Sequence, residues 1–444
     1  MTYKKSMFNV IVDELVDGRK LLYNTFTGVF GVMDKDTEDV YSTIETLPPL
    51  SDADDTTLQC VNIMHRSGYI VDTGKDELAT VKLERSIGRS RNHTLSLTIA
   101  PSMDCNMACP YCYENRNAFV MTEEMQDTLF NFVKSHIDRI ATIKNVSVTW
   151  YGGEPLMQKD IIYSLSKRFT ELCEEREKHY SAGIISNAAL LDVETAKRLV
   201  EDCKVNNMQI TIDGMREMHN SRRILISGDD SFGIIVRNID ACKDIIPITV
   251  RVNVDKDNAN EMDELVKFFL EEKGWGNSPA FYLAPVTDSE GCEMDNSVCL
   301  QSEEFAELDI KRIRASYAHN REAIARMFFP RRRPLFCNGE GTLSYVVDPE
   351  GYYYNCYQQI GNKSQSTGHI SKPYMVTEEY GKWVLADIPQ KCETCEYLPM
   401  CMGGCGLYRI PDGGDAVCFR DAFTYKDILK LAYEDYVAQK QQAS

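Results

Sequence analysis

The sequence predicts an α/β protein built around a partial (β/α)6 barrel of the TIM type. Strand-like apolar runs alternate with helical stretches from about residue 93 to 300. A shorter series of strands and helices precedes this region, and a stretch rich in Cys and Gly follows it. We therefore expect an N-terminal domain at 1–85, the barrel at 86–300, a helical linker at 301–333 and a loop-rich C-terminal domain at 334–444.

The N-terminal domain is predicted from short strands followed by helices. Residues 7–12 and 20–33 have strand patterns around the turn Asp17-Gly18, residues 36–46 and 55–67 have helical patterns, and 68–71 is a short strand. A small sheet with a free edge can accept an extended peptide as an added strand. The alternative is a purely structural cap, because sheet edges are often simply protected.

The barrel is predicted from six apolar runs. The strands are expected at 95–100, 146–151, 184–187, 208–213, 248–254 and 281–284, and the helices between them at 123–140, 160–179, 193–202, 232–244 and 259–272. Residues 302–328 begin with helix-start chemistry and are expected to form the linker. Active sites of barrels lie at the carboxyl ends of the strands, so we expect the functional residues in the segments that directly follow the strands.

Composition excludes several classes of function. The formal charge is 49 − 67 = −18, which disfavours nucleic-acid binding because phosphate contacts need a Lys/Arg surface. The chain contains no apolar run of 18 residues and no secretion signal at its start, so we expect a cytoplasmic protein without a membrane partner. In that reducing compartment the 16 Cys residues are expected to bind metal rather than to form disulfides.

The loop after the first barrel strand carries three of these cysteines. Cys105, Cys109 and Cys112 have the spacing C-x3-C-x2-C. A [4Fe–4S] cube usually takes four thiolates, so three would leave one iron open to a non-protein ligand. Zinc would instead require a closed set of four ligands. Three buried structural cysteines are the remaining alternative.

This loop, with Tyr111 before its third Cys, resembles the cluster loop of the radical S-adenosylmethionine enzymes. The resemblance implies that Cys105, Cys109 and Cys112 are the catalytic cluster ligands and that S-adenosylmethionine chelates the open iron. One electron, from a reductant such as flavodoxin or ferredoxin, would then generate a 5′-deoxyadenosyl radical that abstracts a hydrogen atom.

Other strand ends carry motifs that resemble the same family. Gly152-Gly153-Glu154-Pro155 follows the second strand and is similar to the element that meets the amino group of S-adenosylmethionine. Asp213 ends the predicted fourth strand, where it either makes a polar contact to substrate or a sugar or caps the next turn. The residues expected to contact the cofactor are Tyr111, Gly152, Gly153, Glu154, Pro155, Ser186, Asn187 and Arg251.

A second set of seven cysteines lies in the C-terminal third, and its short intervals resemble the SPASM extension of radical S-adenosylmethionine enzymes. The resemblance implies two auxiliary [4Fe–4S] clusters, three clusters in all: a nearer one on Cys337, Cys356 and Cys405, and a farther one on Cys392, Cys395, Cys401 and Cys418. Cys292 or Cys299 could complete the nearer cluster, or its iron could stay open for a substrate thiolate. Two zinc sites are the inorganic alternative.

The N-terminal domain resembles the winged-helix leader-recognition element of systems that modify ribosomally made peptides. Together these resemblances imply a maturase of the sactipeptide or ranthipeptide type, which joins a Cys sulfur to a Cα or Cβ of a precursor peptide with a leader. Carbon–carbon cross-linking is an alternative. Sulfatase maturation to formylglycine is another, although there an Asp base follows the second Cys of the extension, where this chain has Tyr357. A non-catalytic iron–sulfur electron carrier is the alternative from a different class.

Overall fold

The computed structural model describes residues 2–13, 15, 17–47, 50–91, 93–114, 118–276, 279–287, 296–319, 329–372, 375–410, 416, 418 and 421–443. The chain divides into two compact units. The first comprises Met1–Ser90, Arg321–Cys337 and Ala386–Ser444, and the second comprises Arg91–Asn320 and Asn338–Leu385. None of the helices in the described ranges has both the length and the apolar character needed to cross a bilayer.

The first unit begins with the small strands and helices that the sequence predicts. Its N-terminal elements are β1 (Tyr3–Lys5), β2 (Asn9–Val12), β3 (Lys20–Asn24), β4 (Phe30–Met33), α1 (Lys35–Thr43), α2 (Asp55–Ser67), β5 (Ile70–Asp72) and α3 (Glu77–Arg89). Strands β2, β3 and β4 form an antiparallel sheet with β4 at an edge, and β1 pairs with β5. The sequence reading missed β1 and α3. Helix α3 crosses the expected boundary at residue 85 because Asp76 starts it, accepting a hydrogen bond from Ala79 N.

The C-terminal part of the first unit shares its core with these N-terminal strands. Leu21 and Tyr23 of β3 pack with Met400, and with Leu429 and Tyr433 of the C-terminal helix (Asp421–Ala443). The short helices Leu398–Cys401 and Gly406–Arg409 lie in the same part. Residues far apart in the sequence therefore form one core, which sequence periodicity cannot reveal.

The second unit is built on a large, mostly parallel sheet. Its described strands are β6 (Thr94–Ile99), β7 (Asn145–Trp150), β8 (His179–Ser186), β9 (Val205–Thr211), β10 (Ile248–Val254), β11 (Ala280–Pro285), β12 (Ser344–Val347), β13 (Tyr352–Tyr354) and β14 (Gly368–His369). Their order is β11-β10-β9-β8-β7-β6-β12-β13-β14. Strands β6 to β11 are parallel and adjacent in chain order, which confirms the six predicted strands and is typical of a partial barrel. Strand β12 adds in parallel to β6, and β13 and β14 continue antiparallel.

Helices connect these strands. They are α4 (Glu123–Arg139), α5 (Lys159–Glu175), α6 (Val193–Glu201), α7 (Arg216–Arg222), α8 (Ser231–Cys242), α9 (Met262–Lys267), α10 (Ser302–His319) and α11 (Glu378–Leu385). The predicted helix 160–179 is too long at its end, because Glu177 adopts φ 53° and reverses the chain into β8. The linker helix α10 is confirmed from residue 302 to 319. Residues 320–328 of that expected helix lie outside the described residues.

The two faces of the parallel sheet differ in polarity. Leu95, Leu97 and Ile99 of β6 are buried against apolar side chains of the surrounding helices, whereas Ser96 and Thr98 are half-buried on the opposite face. Strand β7 repeats this alternation, since successive strand side chains point to opposite faces. The helix-covered face therefore forms the core, and the other face presents small polar side chains.

Candidate active site

The three-cysteine loop lies at the carboxyl end of β6, as the sequence predicts. Ala108 N donates to Ile224 O at 2.7 Å and Ile226 N donates to Asn106 O at 3.0 Å, so a segment after α7 holds the loop from a second side. The thiols of this loop line a cavity of about 240 Å³. Burial raises the pKa of the Cys105 thiol to about 12.

Gly152 and Gly153 bring the end of β7 directly against this loop. Gly153 N donates to Ser102 O at 3.2 Å, and Glu154 N donates to Asp104 O at 2.9 Å. A Cβ on either glycine would overlap one of these backbone oxygens. Only glycine permits this approach, and the backbone of both glycines lines the cavity.

Glu154 is completely buried, and its carboxylate is hydrogen-bonded to other groups of the protein. Its carboxylate accepts hydrogen bonds from Leu156 N at 2.9 Å, Ser186 Oγ at 2.8 Å and Asn187 N at 2.7 Å. Burial raises its pKa, and the hydrogen bonds from Asn187 and Leu156 oppose that shift. Glu154 and Pro155 are absent from the described cavity lining, unlike Ser186 and Asn187. Glu154 therefore positions the turn that follows β8, and direct contact of Glu154 or Pro155 with the cofactor stays a prediction.

Tyr111 connects the cysteine loop to the ends of β9 and β10. Its hydroxyl donates to the Asp213 carboxylate and accepts from an Arg223 nitrogen at 2.7 Å. Asp213 also accepts from Asn253 N at 2.8 Å and is fully buried. Of the two roles considered for Asp213, the geometry favours a structural one. Arg223 lines the cavity near Cys109 and was missed, although the sequence His219-Asn220-Ser221-Arg222-Arg223 pointed to it.

Another wall of the cavity combines a cation with aromatic hydroxyls. Arg251 of β10 lines it, and its Nε donates to Asn253 Oδ1 at 2.7 Å. The hydroxyls of Tyr113 and Tyr151 form a hydrogen bond with each other, and burial raises both pKa values well above the usual range. Both phenols therefore stay protonated. The lining also includes Tyr282, Tyr357 and Glu114. The sequence did not predict that these residues lie in one site with Arg251.

The residues at this cavity fit a [4Fe–4S] cluster with S-adenosylmethionine. Three thiols, glycine backbone and a cation match the donors that an open-iron cluster and an amino acid cofactor require. In the described ranges no group of three His, Cys, Asp or Glu side chains is close enough to hold a single metal ion. A cubane separates its thiolates more widely than a single ion does.

Four of the remaining cysteines come together in the first unit. The neighbouring thiols of Cys395 and Cys418 add to the effect of burial in raising the pKa of Cys392, and burial with Cys392 raises that of Cys401 to about 11. Their assignment to a farther cluster stays a prediction.

The nearer auxiliary set is divided between the units, with Cys356 in the second unit and Cys337 and Cys405 in the first, and it stays a prediction. Cys292, one candidate for its fourth ligand, lies outside the described residues. Cys299, the other candidate, follows the short turn Asn296–Val298, where Val298 O accepts from Lys256 N.

Residues 99–269 match the family model of the radical SAM superfamily. A curated relative is a cysteine-type anaerobic sulfatase-maturating enzyme of Clostridium perfringens, 23% identical over 375 residues, which are 76% of this chain and 96% of that protein.

Two solved structures are similar in fold. Native anSMEcpe with bound AdoMet and Cp18Cys peptide gives a TM-score of 0.60 at 20% identity and covers 79% of this chain and 99% of its own. Streptococcus suis SuiB bound to precursor peptide SuiA gives a TM-score of 0.53 at 16% identity, and the match covers 95% of this chain and 99% of SuiB. The thiol loop, the glycine turn and most of the residues that line the cavity lie within 99–269, the part of the chain that matches the radical SAM superfamily, and this protein is an enzyme.

Proposed function

We propose that this enzyme matures a ribosomally made precursor peptide by joining a Cys sulfur to a Cα or Cβ carbon. The observation that carries the proposal is the cavity itself. It extends from the thiols of Cys105, Cys109 and Cys112 to Tyr357 and Gln358, the two residues directly after Cys356. A peptide residue in this space would lie between the first cluster loop and the second cysteine segment.

Each group at the cavity has a defined task in this proposal. The three thiolates hold the first cluster, the backbone of Gly152 and Gly153 receives the amino group of S-adenosylmethionine, and Arg223 receives its carboxylate. When bound, and given an electron from a flavodoxin or ferredoxin, these cofactors supply a hydrogen-abstracting radical. Two auxiliary clusters on the second cysteine set would accept the remaining electron. The protonated tyrosines limit water around the peptide.

The precursor is proposed to dock through its leader on the edge of β4. Asn24 N donates to Val29 O at 3.0 Å, which fixes the antiparallel alternation and leaves the N–H and C=O of Phe30 and Val32 pointing away from β3. No described strand pairs with that edge. A groove beside it is lined by Phe30, Val32 and Tyr436. An extended leader could add there as a fourth strand.

Sulfatase maturation is the second candidate, because the curated relative carries that name. In such maturases an Asp base follows the second Cys of the extension. Here Tyr357 takes that place and lines the cavity. A phenol is a weaker base than a carboxylate at neutral pH, so the site favours a reaction that needs no Asp base there.

Mass spectrometry of a precursor co-expressed with the enzyme tests the proposal. A thioether removes two hydrogens and makes the Cys resistant to alkylation. A carbon–carbon link removes two hydrogens but leaves the thiol reactive, and formylglycine formation removes the sulfur. A carrier without catalysis would leave the peptide unchanged and would produce no 5′-deoxyadenosine from S-adenosylmethionine.

A further inference from the structure

Arg251 is a partly buried cation in the cavity, and among the described residues no carboxylate serves as its counterion. Its Nε donates to Asn253 Oδ1, which fixes the direction of the guanidinium group. Nearby carboxylates are already engaged, Asp213 by Tyr111 and Asp255 by Arg222. Among the described residues no carboxylate forms an ion pair with Arg251. A buried charge is costly unless an opposite charge accompanies it.

The surroundings of Arg251 can receive an anion but cannot neutralise the cation. Its electrostatic neighbours are the phenols of Tyr113, Tyr151, Tyr282 and Tyr357. Phenol hydroxyls donate hydrogen bonds to a carboxylate yet carry no charge themselves. Glu114, the carboxylate in the same lining, is hydrogen-bonded to Tyr151, and the main electrostatic neighbours of Arg251 are the four phenols. The site therefore has a place for a carboxylate that a ligand brings.

Two carboxylates could enter the cavity, that of S-adenosylmethionine and one on the peptide. The cofactor's carboxylate belongs beside the open iron, where Arg223 lies near Cys109. Arg223 lies 3.8 Å from the Asp213 carboxylate and donates to Tyr111, but its Nε is buried without a hydrogen-bond partner, so that N–H is available to a ligand. Arg251 instead neighbours Tyr357, next to Cys356 of the second cysteine segment. The two cations are thus suited to two different carboxylates.

We propose that Arg251 binds a carboxylate of the peptide substrate, an Asp or Glu side chain next to the carbon that is modified. This inference rests on the proposed function and names its substrate class. A planar guanidinium can hold such a carboxylate through two parallel hydrogen bonds. Arg251 thereby selects acidic peptides. In this proposal it binds the peptide instead of the cofactor, which is the contact expected from the sequence.

Binding of two capped peptides to the reconstituted enzyme, with S-adenosylmethionine present, tests this assignment. The probes are acetyl-Gly-Cys-Gly-Asp-Gly-amide and its Asn counterpart. A charge-assisted contact predicts tighter binding of the Asp peptide by about tenfold or more. Arg251→Gln should abolish the difference and Arg251→Lys should keep part of it. Arg216→Gln, which removes an exposed arginine of α7, is the matched control and should keep it fully.

Cofactor affinity separates the two possible carboxylates. If Arg251→Gln weakens S-adenosylmethionine but not its decarboxylated analogue, Arg251 binds the cofactor and the inference is overturned. Equal binding of both peptides, binding of neither, or an Asp preference that survives Arg251→Gln also overturns it. Cleavage of S-adenosylmethionine by the wild-type preparation shows whether a negative result rejects the proposed function or only the role of Arg251. Without cleavage the proposed function itself fails, whereas cleavage without peptide discrimination rejects the role of Arg251 alone.

Discussion

Replacing Glu154 by Gln tests whether its carboxylate fixes the turn beneath the cysteine loop. One oxygen accepts from both Leu156 N and Ser186 Oγ, and the other accepts from Asn187 N. Gln offers one carbonyl oxygen and one NH2 group, so one of these positions changes from acceptor to donor. With the carbonyl on the side of Leu156 and Ser186, the NH2 group faces the N–H of Asn187, and a buried donor loses its acceptor.

The size of the effect follows from that single lost acceptor. An unsatisfied buried N–H costs about 1–3 kcal/mol. A large domain loses roughly 2–4 °C in Tm per kcal/mol, so Glu154→Gln should lower Tm by about 2–12 °C. Asn187 Nδ2 lies 3.9 Å from Cys105 Sγ, so displacement of this turn should also reduce iron retention in the first cluster.

Calorimetry and iron analysis on the purified variant measure both effects. Glu174→Gln, a substitution at an exposed position of α5, is the matched control and should leave Tm and iron content unchanged. If Glu154→Gln behaves like this control in both measurements, the carboxylate is not what positions the turn.

Four further predictions follow from other contacts. Cys105→Ala should eliminate S-adenosylmethionine cleavage while iron remains in the auxiliary sites; cleavage that persists would contradict the cluster assignment. Gly153→Ala forces a Cβ onto the backbone of the cluster loop and should lower iron retention, whereas Gly381→Ala, with open space around it, should not. Arg222→Met strips the buried Asp255 of its partner and should cost about 3–5 kcal/mol in denaturant unfolding, a loss that would be absent if the pair were dispensable. Val32→Pro removes an outward N–H from the β4 edge and should weaken leader binding in fluorescence anisotropy; an unchanged affinity would exclude that edge.

The structure also changes how the N-terminal domain should be tested. Deletion of residues 1–85 is expected from the sequence to weaken precursor binding without affecting cofactor cleavage. In the structure Phe8 and Val81 pack with Leu398 and Met402, and Cys392, a ligand of the predicted farther cluster, packs against the same core. The deletion would expose this core, so a single substitution on the β4 edge is the cleaner experiment.

Local patterns explain which parts of the fold the sequence predicts. The parallel strands are apolar runs in regular alternation with helices, so β6 to β11 could be placed from periodicity. Strand β12 could not, because it joins the sheet through Val346 and Val347 beside β6, almost 250 residues earlier in the chain. Helix α3 was missed because its buried face, including Val81, packs on the distant Ile388.

In the candidate site, too, some residues could be predicted from local sequence patterns and others depend on distant contacts. Cys105, Cys109, Cys112 and the two glycines could be identified because they form short contiguous motifs that resemble those of a known family. Arg251 was expected at the cofactor site, and it does line the cavity, but its tyrosine neighbours come from four different segments. For Glu154 the sequence predicts contact with the cofactor, which stays a prediction, but it does not reveal the three hydrogen bonds that the carboxylate accepts from within the protein. The roles of such residues depend on tertiary neighbours rather than on spacing.

Electron paramagnetic resonance of the anaerobically reconstituted and reduced enzyme, before and after addition of S-adenosylmethionine, tests the central claim most directly. We expect an iron–sulfur signal that changes when the cofactor is added, is lost from the Cys105→Ala variant, and is accompanied by release of 5′-deoxyadenosine. Zinc in place of iron, or a signal that the cofactor leaves unchanged, would contradict an open cluster iron in this cavity.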